Sequence, residues 1–591
     1  MEEAMRRRLY PGEDRPDEPD EQTSGLRDLA DQMSDGYAGV RALQASAWEA
    51  PADLKWDEAE DDWAIEPTVD ADRVAGRLSL STLATAAGIF LLAALPRLFV
   101  IFFVTDPQNP GLGWYGDTFH HWQIAYLSKE IGFSQGFLRL WDFKGLEYFW
   151  GLLHPLLLAG LFELTGTADI LIPRLLSLLA GSINVALIYF IARRYFNLRV
   201  AFATLLFAAL NPVSLFSDAS GMQEPLGIML LLAGVLLYPK HAFPAGFMWA
   251  LAGMVRAEYW LMGAGLIAAV LIMDSKGARR GPLAVGWVLP SLVYMKYLLA
   301  NTGNPIYPIY WNFLGNAAGA WMENVEPTEI QVVATWAFRG LAILSMSGLY
   351  LTYRRKPRHY LPFIVGLGNI LFLSVLLGFS EYVLGFLPRF MVDRIFVLPY
   401  IFLGLLLAAI LFEWLPTRKG SRIWIMAGWA VFISIIGISQ LAWKPIWHYY
   451  EPGTHVWVRE REVASLIALE YEGGVISMME DRPWLTYFLV QYHGIPAESI
   501  EGQMYDPFAY ITGDSFAKWD ENREVVLNWL ADRNIQLLVF YSGKASYEEL
   551  IRREPELFQF ERQFAGGEFT VYRVLINQSV GAAFSGMCLP T

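Results

Sequence analysis

Between about residues 78 and 443 the chain is a succession of apolar runs separated by short polar turns. The runs cover roughly 78–104, 170–192, 200–217, 224–238, 243–257, 259–273, 282–300, 330–353, 359–379, 391–414 and 423–443. A helix crossing a bilayer needs ~20 mostly apolar residues, so the pattern predicts about eleven membrane helices. The run FWGLLHPLLLAGLFEL (149–164) is not counted among them. It is short and carries His154-Pro155 inside it, which suits an interfacial or re-entrant helix. Residues 105–169 are therefore expected to form one large outer loop with amphipathic helices.

After about residue 445 the texture is that of a soluble sequence. WVREREVASLIALEYEGG predicts a helix stopped by Gly473-Gly474, and GVISMME a short strand. REVVLNWLADRN followed by IQLLVFY predicts helix then strand, and EFTVYRVL a last strand. The expected architecture is an α-helical polytopic membrane protein (78–444) with a small C-terminal α/β domain (445–591). Residues 1–77 are polar, acidic and Pro-containing, as in PGEDRPDEPDEQ, and are expected to be a disordered tail. The first apolar run begins too late for a cleaved signal peptide, so it is expected to stay as an anchor.

The basic residues orient the spans. Arg73 and Arg77, then Arg193, Arg194 and Arg199, then Lys240, then Lys276, Arg279 and Arg280, then Arg354, Arg355 and Lys356, then Arg418, Lys419 and Arg422 fall on alternate turns. With a cytoplasmic N-terminus, all of them lie inside. An odd number of spans then makes the C-terminal domain extracytoplasmic, and a prokaryotic plasma membrane is the expected location.

Composition sharpens this picture. The net charge of −14 resides in residues 1–72, where 21 acidic side chains meet 7 basic ones; the rest of the chain is balanced. No basic face is implied, which argues against nucleic acid as a partner. A single cysteine, Cys588, excludes an intrachain disulfide.

Charges near a membrane mark candidate sites, because burying them in lipid is costly. They gather at the outer turns. In GWYGDTFHHWQIAYL (113–127), Asp117 either caps a helix or serves as a general base for an acceptor hydroxyl or amine. His120 and His121 lie three and four residues on as substrate-binding candidates; an alternative reading gives Asp117, His120 and His121 a divalent metal. His154 joins the substrate-binding set. Asp218 and Glu224 flank the turn in NPVSLFSDASGMQEPLGIMLLL (211–232), where Glu224-Pro225 also suits a helix start. In GMVRAEYW (253–260), Arg256 and Glu258 read as an ion pair or as an anion-binding arginine beside an acid. In FLPRFMVDRIFVLPYIF (386–402), Arg389 and Arg394 could grip a lipid phosphate, with Asp393 as their counter-charge. The loop NTGNPIYPIYWNF (301–313) suits either sugar stacking or interfacial anchoring.

An acid after the first span, LIPRLLSLLAGSINVALIYFIARRYF (171–196), the 211–232 turn, the GMVRAE turn and LPRFMVDRIFVLPYIFL together resemble the GT-C membrane glycosyltransferases. Among these the texture is most similar to the protein O-mannosyltransferase and aminoarabinose-transferase group, over roughly 78–443. The resemblance implies transfer of a sugar from a dolichyl- or undecaprenyl-type polyprenyl-phosphate donor to a lipid, glycan or protein acceptor at the outer membrane face, with no cofactor required. It implies that Asp117 activates the acceptor or sits beside it, and that Arg389 or Arg394 holds the donor phosphate. Two departures matter. Many members carry two adjacent acids where this chain has Asp117-Thr118, and the WWDYG-type motif of oligosaccharyltransferases is absent, Pro483–Phe488 reading PWLTYF. Asparagine-linked oligosaccharide transfer is therefore disfavoured. The competing expectations are a non-catalytic handler of lipid-linked sugars, such as a flippase or polymerase partner, and a secondary transporter. A transporter would need charges at mid-membrane in repeated halves, and no repeat is present.

Overall fold

The structure is a computed structural model that describes residues 80–105, 107–108, 117–130, 150–273, 277–310, 397–414, 456–479, 483–503, 519–541, 545–564 and 569–576, with isolated positions in 340–368 and 421–431. The chain divides after Thr85, and the unit 1–85 contributes only the start of the first helix. Arg389, Asp393, Arg394, Cys588, the acidic tail and the apolar runs 330–353, 359–379 and 423–443, apart from those isolated positions, lie outside the described residues.

Eleven helices precede the C-terminal part among the described residues. They are α1 (Leu80–Phe99, prolonged by a π-turn Val100–Val104), α2 (Asp117–Glu130), α3 (Leu153–Thr165), α4 (Leu171–Tyr195), α5 (Leu198–Leu210), α6 (Pro212–Ser220), α7 (Glu224–Leu237), α8 (Ala242–Gly253), α9 (Ala257–Met273), α10 (Arg280–Thr302) and α11 (Val397–Ala409, continued to Trp414). Four of these segments are long and apolar enough to cross a membrane: Thr82–Val104, Leu171–Tyr195, Gly277–Thr302 and Val397–Trp414. Outward-facing Leu91, Leu95 and Phe103 on α1 and Leu289, Leu292 and Val293 on α10 give these helices apolar outer surfaces suited to lipid. The protein is an integral membrane protein.

The run expected as one span over 200–217 is instead two helices bent by 55°. Asn211 ends α5 and caps α6, its side chain accepting from the backbone N–H of Val213 (3.0 Å) and Ser214 (3.3 Å), and Pro212 fixes the first turn. Helices α7 and α8 have 14 and 12 residues. At 1.5 Å per residue they extend about 21 and 18 Å, less than the ~30 Å of a hydrocarbon core. Small residues let backbones meet: Gly246 on α8 lies against Leu283 O and Gly286 on α10 against Phe243 O.

The C-terminal part contains α12 (Val456–Glu470), β1 (Val475–Met479), α13 (Pro483–His493), β2 (Ile500–Gln503), α14 (Trp519–Asp532), β3 (Ile535–Tyr541), α15 (Ala545–Arg553), β4 (Phe558–Phe564) and β5 (Phe569–Val574). The sheet order is β2-β1-β3-β5-β4. Strand β1 runs parallel to β2 and β3, pairing Ile476 with Ile500 and Ser477 with Leu538; β5 runs antiparallel to β3 and β4. Central β3 buries Ile535, Leu537 and Val539 on one face and Leu538 on the other, as a strand covered on both faces does. Edge strand β4 carries Gln559, Glu561, Arg562 and Gln563, charges and amides that discourage edge pairing.

There are two cores. One joins α1 and α4–α11. The other runs from Phe119 and Trp122 on α2 and Leu158 and Phe162 on α3 into Ile467, Phe488 and Leu538 of the α/β part. Helix α3, the uncounted apolar run, has 13 residues, and its buried face belongs to this second core.

Candidate functional site

Two buried arginines fix the end of α6. Arg97, on α1, donates from Nε and Nη2 to one carboxylate oxygen of Asp218 at 2.8 and 2.7 Å, and from Nη1 to Ala93 O at 2.7 Å. Gly181 on α4 makes room for that carboxylate, since a Cβ there would fall on it. Arg174, in the first turn of α4, donates to Ala219 O (2.8 Å), Pro107 O (2.9 Å) and Thr105 Oγ1 (2.6 Å). Gly221, at φ +93°, ends α6 in the left-handed conformation that glycine adopts without penalty. Ser177 donates to Met222 O in the turn that follows.

The N-terminus of α2 meets this turn. Thr118 donates to Ser220 O (2.9 Å) and touches Met222 Sδ at 3.1 Å. Asp117, the first residue of α2, is half-buried at the positive end of that helix. One turn on, His120 stacks on Trp150 with ring centroids 5.1 Å apart, and His121 meets Trp150 edge-on at 5.9 Å and His154 at 5.0 Å. Trp150 and Gly151 lie on the α8–α9 turn: Leu153 N donates to Met254 O (3.0 Å), and the Gln223 amide, turned so that its nitrogen faces the two carbonyls, donates to Trp150 O (2.8 Å) and Val255 O (3.0 Å). In that turn Arg256 grips Glu258 with a fork, Nε to Oε2 at 3.0 Å and Nη2 to Oε1 at 2.8 Å, while Nη1 donates to Glu224.

The candidates thus divide. The structure brings Asp117, His120, His121, His154, Glu224, Arg256 and Glu258 to one network of turns. It gives Asp218 to Arg97 rather than to an open surface. Arg256 is engaged by two carboxylates, which makes it an ion-pair residue and not an uncommitted anion grip. Among the described residues no group of three or more His, Cys, Asp or Glu side chains is placed to share an ion, and His120 and His121 both pack on Trp150. Arg97, Arg174 and Gln223 were not among the expected residues. The arginines had a signal, a Pro-Arg pair inside an apolar run in both LPRLF (95–99) and LIPRLL (171–176).

His154 is fully buried, and among the described residues neither ring nitrogen has a hydrogen-bond partner. Burial pushes its imidazole down to about 3. An unfolded histidine takes a proton below about pH 6.5, whereas the folded one does not, so the stability tied to neutral His154 is complete above pH 6.5 and lost as the pH falls. At pH 5 the loss is about 2 kcal/mol. Thermal melts at pH 7 and pH 5 are expected to differ less for His154→Phe than for the wild type; an equal difference would remove His154 as the source.

No protein-family model matches the chain, and a search of the curated proteins finds no match either. Solved structures are similar at low identity. The apo oligosaccharyltransferase of Archaeoglobus fulgidus is 11% identical over 77% of this chain and 69% of its own, with a TM-score of 0.48. Apo ArnT from Cupriavidus metallidurans is 14% identical over 83% of this chain and 98% of its own, at 0.46. The mycobacterial arabinofuranosyltransferase AftD is 16% identical over 84% of this chain and 40% of its own, at 0.46.

Proposed function

We propose that this chain is a GT-C type glycosyltransferase that moves a sugar from a polyprenyl-phosphate donor to a lipid, glycan or protein acceptor, with Asp117 as the general base. The observation that carries this reading is the setting of Asp117. A half-buried carboxylate opens α2 while the next residue, Thr118, is buried and bonded to Ser220 and Met222, and His120, one turn on, is stacked on buried Trp150. A base held by a rigid frame needs little reorganisation when the acceptor arrives.

In the proposed step the acceptor oxygen or nitrogen bonds to the anomeric carbon and its proton passes to Asp117. The anomeric C–O bond to the phosphate breaks, and polyprenyl phosphate leaves with the electron pair. That leaving group needs a cation. Since Arg97, Arg174 and Arg256 are engaged in the frame, Arg389 or Arg394 is assigned to it. His120, beside Trp150, borders the sugar position. The reaction takes place at the extracytoplasmic face of a prokaryotic plasma membrane, on the same side as the domain 445–591.

The test is direct. Purified protein in detergent is incubated with a panel of radiolabelled polyprenyl-phosphate sugars, with and without EDTA, and release of sugar from the lipid is followed. Consumption of one donor supports the reading and names the sugar. If every donor is bound but none is consumed, the protein handles lipid-linked sugars without transferring them.

A further inference from the structure

We propose that the α/β domain sets the position of the base: Tyr487 and Trp484 on α13 are positioning residues for Asp117, acting through α2. This rests on the assignment of Asp117 above. Along α2, Phe119, Trp122 and Tyr126 fall at i, i+3 and i+7, one face of a helix. That face meets α13. Tyr487 packs its ring 5.4 Å from Phe119 and 4.9 Å from Trp122, and Trp484 lies 6.5 Å from Phe119. Phe119 is two residues from Asp117.

A polar anchor holds the Tyr487 ring in register. Its hydroxyl donates to Gln108 Oε1 at 2.7 Å and accepts from Ile170 N at 3.3 Å. Gln108 in turn donates to both oxygens of Asp169, at 3.0 and 2.9 Å, and Asp169 accepts from Leu171 N at 2.7 Å, at the start of α4. Burial and, after it, the Asp169 carboxylate push the Tyr487 phenol well above its usual range, so it stays a donor at every physiological pH. Trp122 adds a bond from Nε1 to Ala168 O at 2.5 Å. One side chain of the α/β domain therefore ties α2 to the segments before and at the start of α4. Misplacing a reacting group by about 1 Å costs on the order of a hundredfold in rate.

The experiment uses the full chain in detergent and two readouts: hydrogen exchange of the 117–130 peptide, and kcat and KM for release from the labelled polyprenyl-phosphate sugar. Tyr487→Ala is expected to lose protection across 117–130 and to lower kcat by roughly ten- to a hundredfold, with KM within about threefold of wild type. Tyr487→Phe keeps the ring but loses the hydroxyl anchor, and is expected to fall between Tyr487→Ala and wild type in both protection and kcat. Unchanged protection in Tyr487→Ala overturns the coupling of α13 to α2. Lost protection with wild-type kcat overturns its link to catalysis. Should Asp117→Asn prove as active as wild type, the base assignment fails, while the exchange readout still decides whether α13 seats α2.

Discussion

Asp117→Asn is expected to lower sugar release by about 10²–10⁴-fold while leaving the fold intact. The two effects of the substitution differ in scale. Loss of a carboxylate at the first turn of a helix costs about 0.3–1 kcal/mol of stability. Loss of a general base raises the barrier by about 3–5 kcal/mol, at 1.36 kcal/mol per decade of rate. A variant that melts close to wild type yet releases almost no sugar therefore marks the base. Asp117→Glu keeps the charge but shifts the carboxylate by a methylene, so it should recover part of the rate. If instead Asn and Glu variants both retain full turnover, Asp117 is only a helix-start residue, and the proton goes elsewhere.

Arg97→Ala is expected to be among the most destabilising single substitutions in the helical part. It leaves the Asp218 carboxylate buried against Gly181 without its partner. Breaking a buried pair by removing one side costs about 3–5 kcal/mol, more than the pair itself contributes over a neutral replacement. The double variant Arg97→Met with Asp218→Asn removes both charges, so it should recover much of that loss. The check is the melting temperature and yield of the detergent-purified protein for the single and double variants. Equal destabilisation in both would mean that packing, rather than the stranded charge, dominates.

Much of the frame was legible before any coordinates. The helix and strand pattern over 456–479 and 519–541 follows from periodicity, and Gly473 and Gly474 take positive φ where a helix stop was expected. Helices α4 and α10 follow from runs of apolar residues long enough to be unambiguous. Three things escaped. The α5–α6 bend hides in a continuous apolar run, because Asn211-Pro212 reads there as a tolerated pair although its side chain makes a cap. Helix α13, PWLTYFLVQYH, has no polar face to give it a period, since it is covered on several sides. The pairing of Arg97 with Asp218 and the engagement of Arg256 by two acids are tertiary facts. A sequence marks each charge as costly, but not which partner relieves it. Chemistry-bearing residues were thus easier to find than to sort: Asp117 and the Glu224–Arg256–Glu258 group share one network, while Asp218 belongs to the frame.

The Arg97–Asp218 pair also has a history within each newly made chain. Its members lie 121 residues apart. At ribosomal speeds of about 5–20 residues per second, the carboxylate is synthesised roughly 6–24 s after the guanidinium. For that interval the first helix must be accommodated with an unmatched cation. A central arginine disfavours insertion by about 2.5–3.5 kcal/mol, and each Leu, Ile or Phe returns about 0.3–0.6. The Leu, Ile and Phe residues of LSTLATAAGIFLLAALPRLF and of VIFFV after it are enough to tip that balance. Arg97 lies near the end of the helix, where its long side chain can reach toward the interface until α6 arrives. The apolar weight of the first span therefore has a second use: it holds the cation at the membrane until its partner has been made.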